Sequence, residues 1–190
     1  MRISSIVNRA TQVNGAGLAS NFQGRSQNWN QFANRVSRLA SGLCGLGVKP
    51  GDRVAMLSLN SDRYLEYFFA VPWSGGVFVP INPRLAPPEI VHWLNDSGAS
   101  VLLIDDNFAA VLDKIQGQFE SLKSIVHVGD GAPPEGMLSY EALIDGAAEM
   151  APLDTGGDQL AGLFYAGGTT GRSKGVMLSH RNLILNALQF

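Results

Sequence analysis

Cysteine is nearly absent from this sequence, since Cys44 is the only one among 190 residues. A single cysteine cannot form a disulfide within the chain, which excludes a disulfide-stapled secreted fold and predicts a protein of the reducing cytoplasm. Cys44 itself is interpreted as a small apolar residue of a helix rather than a reactive thiol.

Long hydrophobic runs and an excess of basic residues are missing as well. The most apolar stretch, residues 64–81, is interrupted by Glu66, Pro72 and Gly75-Gly76, so it is not a run of roughly 18 apolar residues that could span a bilayer. The first ten residues lack the apolar core and cleavage site of a secretory signal. The net charge of −2 argues against a nucleic-acid partner or an anionic membrane surface.

Metal-ligand spacing is missing too. His92, His127 and His180 have neither ligand spacing nor cysteine partners, so no zinc site is expected, and His180 is assigned to a helix N-terminus. Asp105-Asp106 admits two interpretations, a paired-carboxylate metal site and a solvated turn between a strand and a helix, and the turn is favoured.

What is present is an alternation of helical and strand patterns. Strands are predicted at residues 53–59, 77–81, 100–104 and 124–128, and helices at residues 28–43, 63–71, 87–94 and 108–119. Pro72 is expected to stop the second helix, and Pro80 to place its strand at an edge or at a strand end. The alternation predicts an α/β fold with a mostly parallel, helix-covered sheet. Three aromatic residues are assigned to the core or to an interface: Trp29, Trp73 and Trp93.

The residues after position 150 follow a looser stretch and are assigned to a second unit. Residues 1–150 are predicted to form an N-terminal α/β subdomain, and residues 151–190 to begin the next subdomain, which is incomplete. Two strands are expected there, at residues 160–165 and 176–178, followed by a helix that begins at Ser179 or His180.

The segment between these two strands reads Tyr165-Ala-Gly-Gly-Thr-Thr-Gly-Arg-Ser-Lys-Gly-Val176. Glycines let a backbone approach a ligand closely, threonine hydroxyls and free N–H groups can bind phosphate oxygens, and a lysine adds a mobile positive charge. The segment is therefore predicted to hold a polyphosphate. It is not a Walker P-loop, because Arg172 and Ser173 separate Gly171 from Lys174, and its glycines lack the dinucleotide-binding spacing. A glycine-rich hairpin without a ligand is the alternative.

This segment resembles the signature of the adenylate-forming superfamily, which includes acyl-CoA synthetases, luciferases and peptide-synthetase adenylation domains. The signature reads roughly Tyr-Thr-Ser-Gly-Thr-Thr-Gly-x-Pro-Lys-Gly-Val, often followed by Ser-His-x-Asn-Leu. The chain departs from this signature at Ala166, Gly167 and Ser173. It has the stretch that often follows the signature, as Ser179-His-Arg-Asn-Leu183. Three earlier segments are similar to the N-terminal part of acyl-CoA synthetases: residues 35–40, 47–54 and 79–83.

The resemblance implies an ATP-dependent carboxylic acid–CoA ligase that forms an acyl-adenylate and passes the acyl group to coenzyme A, with Mg²⁺ as the metal. Lys174 is the implied catalytic residue, and Thr170 is the implied Mg²⁺ contact. The implied ATP-binding residues are Gly167, Gly168, Thr169, Thr170, Gly171, Arg172, Ser173, Lys174 and Gly175.

Family members are typically longer, so the chain is expected to be an N-terminal portion that is inactive alone. The departures at Gly167 and Ser173 are expected to weaken ATP binding several-fold. A non-catalytic nucleotide-binding remnant and a peptide-synthetase adenylation domain stay open, as do the identity of the acid and the oligomeric state, for which a homodimer is one option.

Overall fold

The computed structural model describes residues 1–167 and 173–189, which form a seven-stranded mixed sheet covered by helices and a separate two-stranded hairpin. The helices are α1 (Ser4–Asn14), α2 (Trp29–Gly45), α3 (Asp62–Trp73), α4 (Pro87–Ser97), α5 (Leu112–Ile115), α6 (Tyr140–Asp145) and α7 (His180–Ala187). The strands are β1 (Leu18–Phe22), β2 (Arg25–Asn28), β3 (Arg53–Leu57), β4 (Val77–Pro80), β5 (Ala99–Ile104), β6 (Ser124–His127), β7 (Leu138–Ser139), β8 (Leu160–Ala166) and β9 (Lys174–Ser179).

The strand order of the large sheet is β7-β6-β5-β3-β4-β8-β9, and only the β8–β9 pair is antiparallel. This confirms the predicted α/β class with a mostly parallel sheet. Strands β8 and β9 extend the sheet to which the earlier strands belong. The division of the chain at residue 150 stays a prediction.

Alternation along the strands divides the core between the two faces of the sheet. Val54 and Met56 of β3 belong to the cluster that packs against α1, α2, α3 and α6, whereas Ala55 and Leu57 belong to the cluster under α4 and α5. Strand β8 follows the same rule, because Phe164 packs against the first cluster and Tyr165 against the second. Tyr165 is therefore directed toward α4.

Helix α2 begins where the sequence predicts. The Asn28 side chain accepts a hydrogen bond from the Gln31 N–H, and the Gln31 side chain accepts one from the Asn28 N–H, which together make a capping box. The predicted tryptophan assignments are also confirmed: Trp73 and Trp93 are buried, and Trp29 packs against the first core cluster.

Four sequence predictions need correction. The helix predicted over 108–119 is only a 3₁₀ turn, Ala109–Val111, and α5, because Gly117 with φ of 77° lies outside the helical region. Pro72 does not end α3 at the preceding residue but lies within its last turn, and the helix ends one residue later, at Trp73. Pro80 ends an interior strand, so of the two options for it the strand end is correct and the edge is wrong.

Asp105 is the fourth correction, because it is buried rather than solvated. Its Oδ2 accepts hydrogen bonds from the Ser58 hydroxyl and the Leu59 N–H at 3.0 and 2.8 Å, and its Oδ1 accepts one from the Asn107 N–H at 2.9 Å. The carboxylate thus joins the ends of β3 and β5. Among the described residues there is no group of three or more metal-ligating side chains.

Helix α1 and the β1–β2 hairpin have no counterpart in the sequence predictions. The hairpin turns at Gln23 and Gly24, whose φ angles of 49° and 82° are both positive, as a two-residue hairpin turn requires. Helix α1 buries Ser4 and Val7 and packs against α2 and α3. Just before it, the Ile3 N–H donates to His180 Nδ1 at 3.3 Å.

A cluster of ion pairs connects the helices on the first face of the sheet. Glu66, with none of its surface exposed, accepts hydrogen bonds from Arg35 at 2.6 and 3.1 Å, from the Tyr140 hydroxyl at 2.7 Å and from Gln27 at 2.9 Å. Arg35 also binds Glu141 through two further hydrogen bonds, of 2.8 and 3.0 Å. These five side chains are called the Glu66 cluster below.

Acid is expected to destabilise the fold through carboxylates at the edge of this cluster. Burial alone would raise the pKa of Glu141, but hydrogen bonds and charge from Arg35 and Arg63 outweigh it, so the pKa lies below its ordinary 4.5. Burial would also raise the pKa of Asp62, but the hydrogen bonds and charges of Arg25 and Arg63 together outweigh burial and hold it below 3.8. A carboxyl with a lowered folded-state pKa contributes stability above its unfolded-state pKa and loses it as the pH falls through the folded-state value. The urea midpoint is therefore expected to fall as the pH drops from 7 to below 4.5.

The control for this prediction is a pair of variants measured by urea titration at several pH values. Glu141→Gln should lower the midpoint at pH 7 and flatten the decline toward acid, whereas Asp113→Asn, at an exposed position on α5, should change neither. An unchanged slope in Glu141→Gln would refute the role given to Glu141.

None of the helices that the structure describes has the length and apolar character needed to cross a membrane.

Candidate phosphate-binding site

The predicted phosphate-binding segment connects β8 to β9. These strands pair in antiparallel register, with Tyr165 opposite Gly175 and Ala166 opposite Lys174. Gly168, Thr169, Thr170, Gly171 and Arg172 lie outside the described residues, so their predicted contacts with ATP and Mg²⁺ stay predictions. Gly167, Ser173, Lys174 and Gly175 are described, and they lie at the base of the connection.

This connection begins at the carboxyl edge of the parallel part of the sheet. Strand β8 runs parallel to β4, with Gly162 opposite Phe78, and β4 runs parallel to β3. In open α/β sheets, ligands bind outside the carboxyl ends of the strands. The sheet therefore carries the segment to the edge where a nucleotide is expected.

Lys174 is the first residue of β9, and its side chain is exposed. Within the described part of the chain it takes part in no ion pair. No described carboxylate therefore neutralises the Lys174 ammonium, which is predicted to bind phosphate. A lysine on a strand next to a glycine-rich connection can place its charge over a polyphosphate without a large backbone change.

Two glycines at the base of the connection differ in their surroundings. A Cβ added to Gly167 would meet no described atom within 4 Å, so serine, the residue of the family signature, fits there as far as the described chain is concerned. A Cβ added to Gly175 would lie 3.3 Å from the Tyr165 ring. Gly175 thus lets the ring of Tyr165 lie across the paired strand.

Helix α4 contacts the base of the connection on both sides, through residues that sequence reasoning assigned only to packing. The Trp93 ring stacks on Tyr165 with centroids 4.5 Å apart and planes at 19°. Its indole N–H donates to the Ser173 hydroxyl oxygen at 2.6 Å, and the Tyr165 hydroxyl donates to Asp96 Oδ2 at 2.5 Å. Burial and the bond to Asp96 raise the pKa of Tyr165, so its hydroxyl keeps its proton. No sequence signal links Trp93 to Ser173, 80 positions away.

A cleft of about 720 Å³ opens beside this contact. It lies between α4 and the β8–β9 base, and its lining includes Asn82, Glu89, His92, Tyr165, Gly167 and Ser173. The Nε2 atom of His92 is buried without a hydrogen-bond partner among the described residues. The cleft is large enough for a nucleotide-sized group, and it is bounded by residues on either side of the predicted phosphate-binding segment.

A second cleft, of about 380 Å³, lies at the carboxyl ends of β3, β5 and β6. Its charged groups are already paired. Arg63 binds Asp130 at 2.7 Å, Arg25 binds Asp62 at 2.9 Å, and Asp106 binds His127 Nε2 at 2.6 Å. Because these groups bind one another, this cleft is a weaker candidate than the first.

The predicted position of His180 at a helix N-terminus is confirmed, since it is the first residue of α7. Ser179 precedes it as the N-cap, and its hydroxyl accepts a hydrogen bond from the Asn182 N–H. Burial, together with the charge of the N-terminal amino group, lowers the pKa of His180. Its neutral ring accepts the Ile3 N–H, so this histidine fixes α1 rather than a ligand.

Comparison with known proteins gives consistent matches over nearly the whole chain. The sequence profile described as "AMP-binding enzyme" matches residues 8–190. A long-chain-fatty-acid–CoA ligase of Thermus thermophilus is 43% identical over 81% of this chain and 28% of its own length. A feruloyl-CoA synthase of an Amycolatopsis species is 38% identical over 95% of this chain and 34% of its own.

Among solved structures, the anthranilate–CoA ligase AuaEII in complex with anthranoyl-AMP superposes with a TM-score of 0.94 and 30% identity. It covers 99% of this chain, which covers 36% of that structure. The chain thus spans about a third of the length of the proteins that it matches.

Proposed function

We propose, from the premise that this chain belongs to the AMP-binding enzyme family, that the protein containing it is an ATP-dependent carboxylic acid–CoA ligase. The observation that carries the proposal is the position of the Gly/Thr/Lys connection, which begins at the carboxyl edge of the sheet beside an open cleft. The names of its relatives, two of which are acid–CoA ligases or synthases, support the same reaction class.

The reaction has two balanced steps. A carboxylate oxygen of the acid attacks the α-phosphorus of ATP, and the bond from that phosphorus to the bridging oxygen breaks and releases pyrophosphate. The thiol of coenzyme A then attacks the acyl carbon, gives up its proton, and releases AMP. In the first step negative charge builds up on the leaving pyrophosphate, and this is the charge that the chain has to stabilise.

Residues of the connection would meet that demand. The Lys174 ammonium would bind the β- and γ-phosphates, and the hydroxyls of Thr169 and Thr170 would donate to phosphate oxygens. Gly168 and Gly171 would allow the backbone to come close. Bound Mg²⁺ supplies charge neutralisation on the phosphates, and Thr170 is the residue proposed to contact it. The described residues contain no metal-ligating cluster of their own.

The acid substrate is proposed only as a class, a fatty acid or another acyl acid. The relatives carry different substrate names, among them long-chain fatty acid and ferulate. A peptide-synthetase adenylation domain is the sibling alternative, because it would perform the first step alike and pass the acyl group to a carrier protein. The departures at Ala166, Gly167 and Ser173 favour one further alternative, a nucleotide-binding remnant without turnover. We place the protein in the cytoplasm, in keeping with its lone cysteine, Cys44.

The test is exchange of labelled pyrophosphate into ATP by the full-length protein in the presence of Mg²⁺. The acid panel should contain long- and medium-chain fatty acids, ferulate and anthranilate, with a sample lacking acid as the control. We expect exchange that depends on one class of acid, and formation of the acyl-CoA thioester when coenzyme A is added.

Three other outcomes would each change the assignment. Exchange with any acid but no thioester would favour the adenylation domain over the ligase. ATP binding without exchange would favour the remnant. If the protein neither bound ATP nor supported exchange, the proposal that it acts on a nucleotide would be refuted.

A further inference from the structure

One side chain of α4 contacts both ends of the phosphate-binding connection. Trp93 stacks on Tyr165, the penultimate residue of β8, and donates its indole N–H to Ser173, the residue just before β9. Asp96, three positions along the same helix, accepts the Tyr165 hydroxyl. These four residues are called the Trp93 anchor.

The contacts of the anchor are directional, which distinguishes them from ordinary packing. Trp93 is 5% exposed, and a buried indole N–H needs an acceptor. Within the described chain that acceptor is the Ser173 hydroxyl at 2.6 Å. The near-parallel stack on Tyr165 fixes the ring plane that directs the N–H toward Ser173. Because α4 is packed on the sheet through Ile90 and Leu94, the anchor ties the connection to a rigid element.

We infer that Trp93 is a positioning residue, which sets the geometry of the phosphate-binding connection by holding its two ends against α4. The inference rests on the proposed function. It also gives Ser173 a restraint of its own at the position where the family signature has proline. Proline limits the backbone by its ring, whereas Ser173 is held through its hydroxyl, so one restraint replaces the other.

Two variants of the full-length protein test the inference. Trp93→Phe keeps a ring for the stack on Tyr165 but has no N–H, and Ser173→Ala removes the acceptor. Each should raise the KM for ATP about 3–10-fold, the effect of one lost hydrogen bond, and leave kcat within about twofold. The double variant should be no worse than either single one, because both remove one interaction.

Trp73→Phe is the matched control. Trp73 is also buried and donates its indole N–H, to the Met150 carbonyl oxygen at 2.9 Å, but it lies in the other core cluster. This variant should leave the KM for ATP unchanged. An equal rise of KM in Trp73→Phe, or an unchanged KM in both Trp93→Phe and Ser173→Ala, would overturn the inference.

A second readout does not require activity. Trypsin cuts after Arg172 and Lys174, and the rate of these cuts, followed by mass spectrometry, reports how firmly the connection is held. Cleavage should be faster in Trp93→Phe and Ser173→Ala than in the wild type and in Trp73→Phe. If the wild type shows no acid-dependent exchange, the proposed function fails, and the cleavage rates alone decide the inference: faster cleavage supports it, and equal rates refute it.

Discussion

Replacing Lys174 by alanine is expected to reduce kcat/KM for ATP by about 100-fold or more in the full-length protein. The expected size is that of removing one preorganised group that stabilises developing negative charge, roughly 10²–10³-fold. The loss should appear in acid-dependent exchange of pyrophosphate into ATP. It should leave the fold intact, because the side chain is exposed and within the described part of the chain forms no ion pair.

The matched control is Lys123→Ala, which removes a lysine that is also exposed and also lies at the start of a strand, directly before β6. It should leave kcat/KM for ATP within about twofold of the wild type. Thermal unfolding of both variants should coincide with the wild type, since substitutions at exposed positions usually change stability by less than about 0.5 kcal/mol. Normal exchange by Lys174→Ala would remove Lys174 from the mechanism.

Replacing Glu66 by glutamine is expected to lower the free energy of unfolding by about 3 kcal/mol, at the lower end of the range for breaking a buried ion pair. Glu66 is fully buried and accepts hydrogen bonds from three side chains. Glutamine keeps the side-chain volume but loses the charge. Its NH₂ group is a donor, so it cannot accept the hydrogen bonds that one carboxylate oxygen of Glu66 accepts. The low end is expected because Arg35 keeps Glu141 as a partner.

Urea titration at neutral pH measures this loss, and Glu135→Gln is the control. Glu135 is exposed, and no ion pair joins it to another residue of the described chain, so its replacement should change the unfolding free energy by less than about 0.5 kcal/mol. A similarly small effect in Glu66→Gln would mean that the cluster contributes little net stability, as some buried ion pairs do.

The parts of the fold that were predictable from sequence are those encoded by neighbouring residues. Apolar runs such as residues 53–59 predict buried strands, and the residues from Asn28 predict the start of α2, because both signals act within a few residues. The segment predicted to bind phosphate was also recognised this way, since its glycines, threonines and lysine are contiguous. Its described ends lie at the base of one connection, as expected.

The parts that were not predictable depend on residues far apart in the chain. Helix α1 packs against α2 and α3, and the residue before it contacts His180, relations that exist only in the folded chain. The Glu66 cluster joins α2, α3 and α6, so its partners are known only once the helices have packed. Trp93 and Ser173 meet because α4 lies against the β8–β9 base, a relation that no short pattern contains.

The hydrogen bond between Ile3 and His180 also has a consequence for the order of folding. Its partners are 177 residues apart, so this bond cannot form until residue 180 has left the ribosome. At typical rates of synthesis that delay is roughly 10–35 s. Helices α2 and α3, joined across 31 residues by Arg35 and Glu66, can pair much earlier. Helix α1 can pack on that pair as soon as it has formed, and the bond to His180 then links the start of the chain to α7 as a late step.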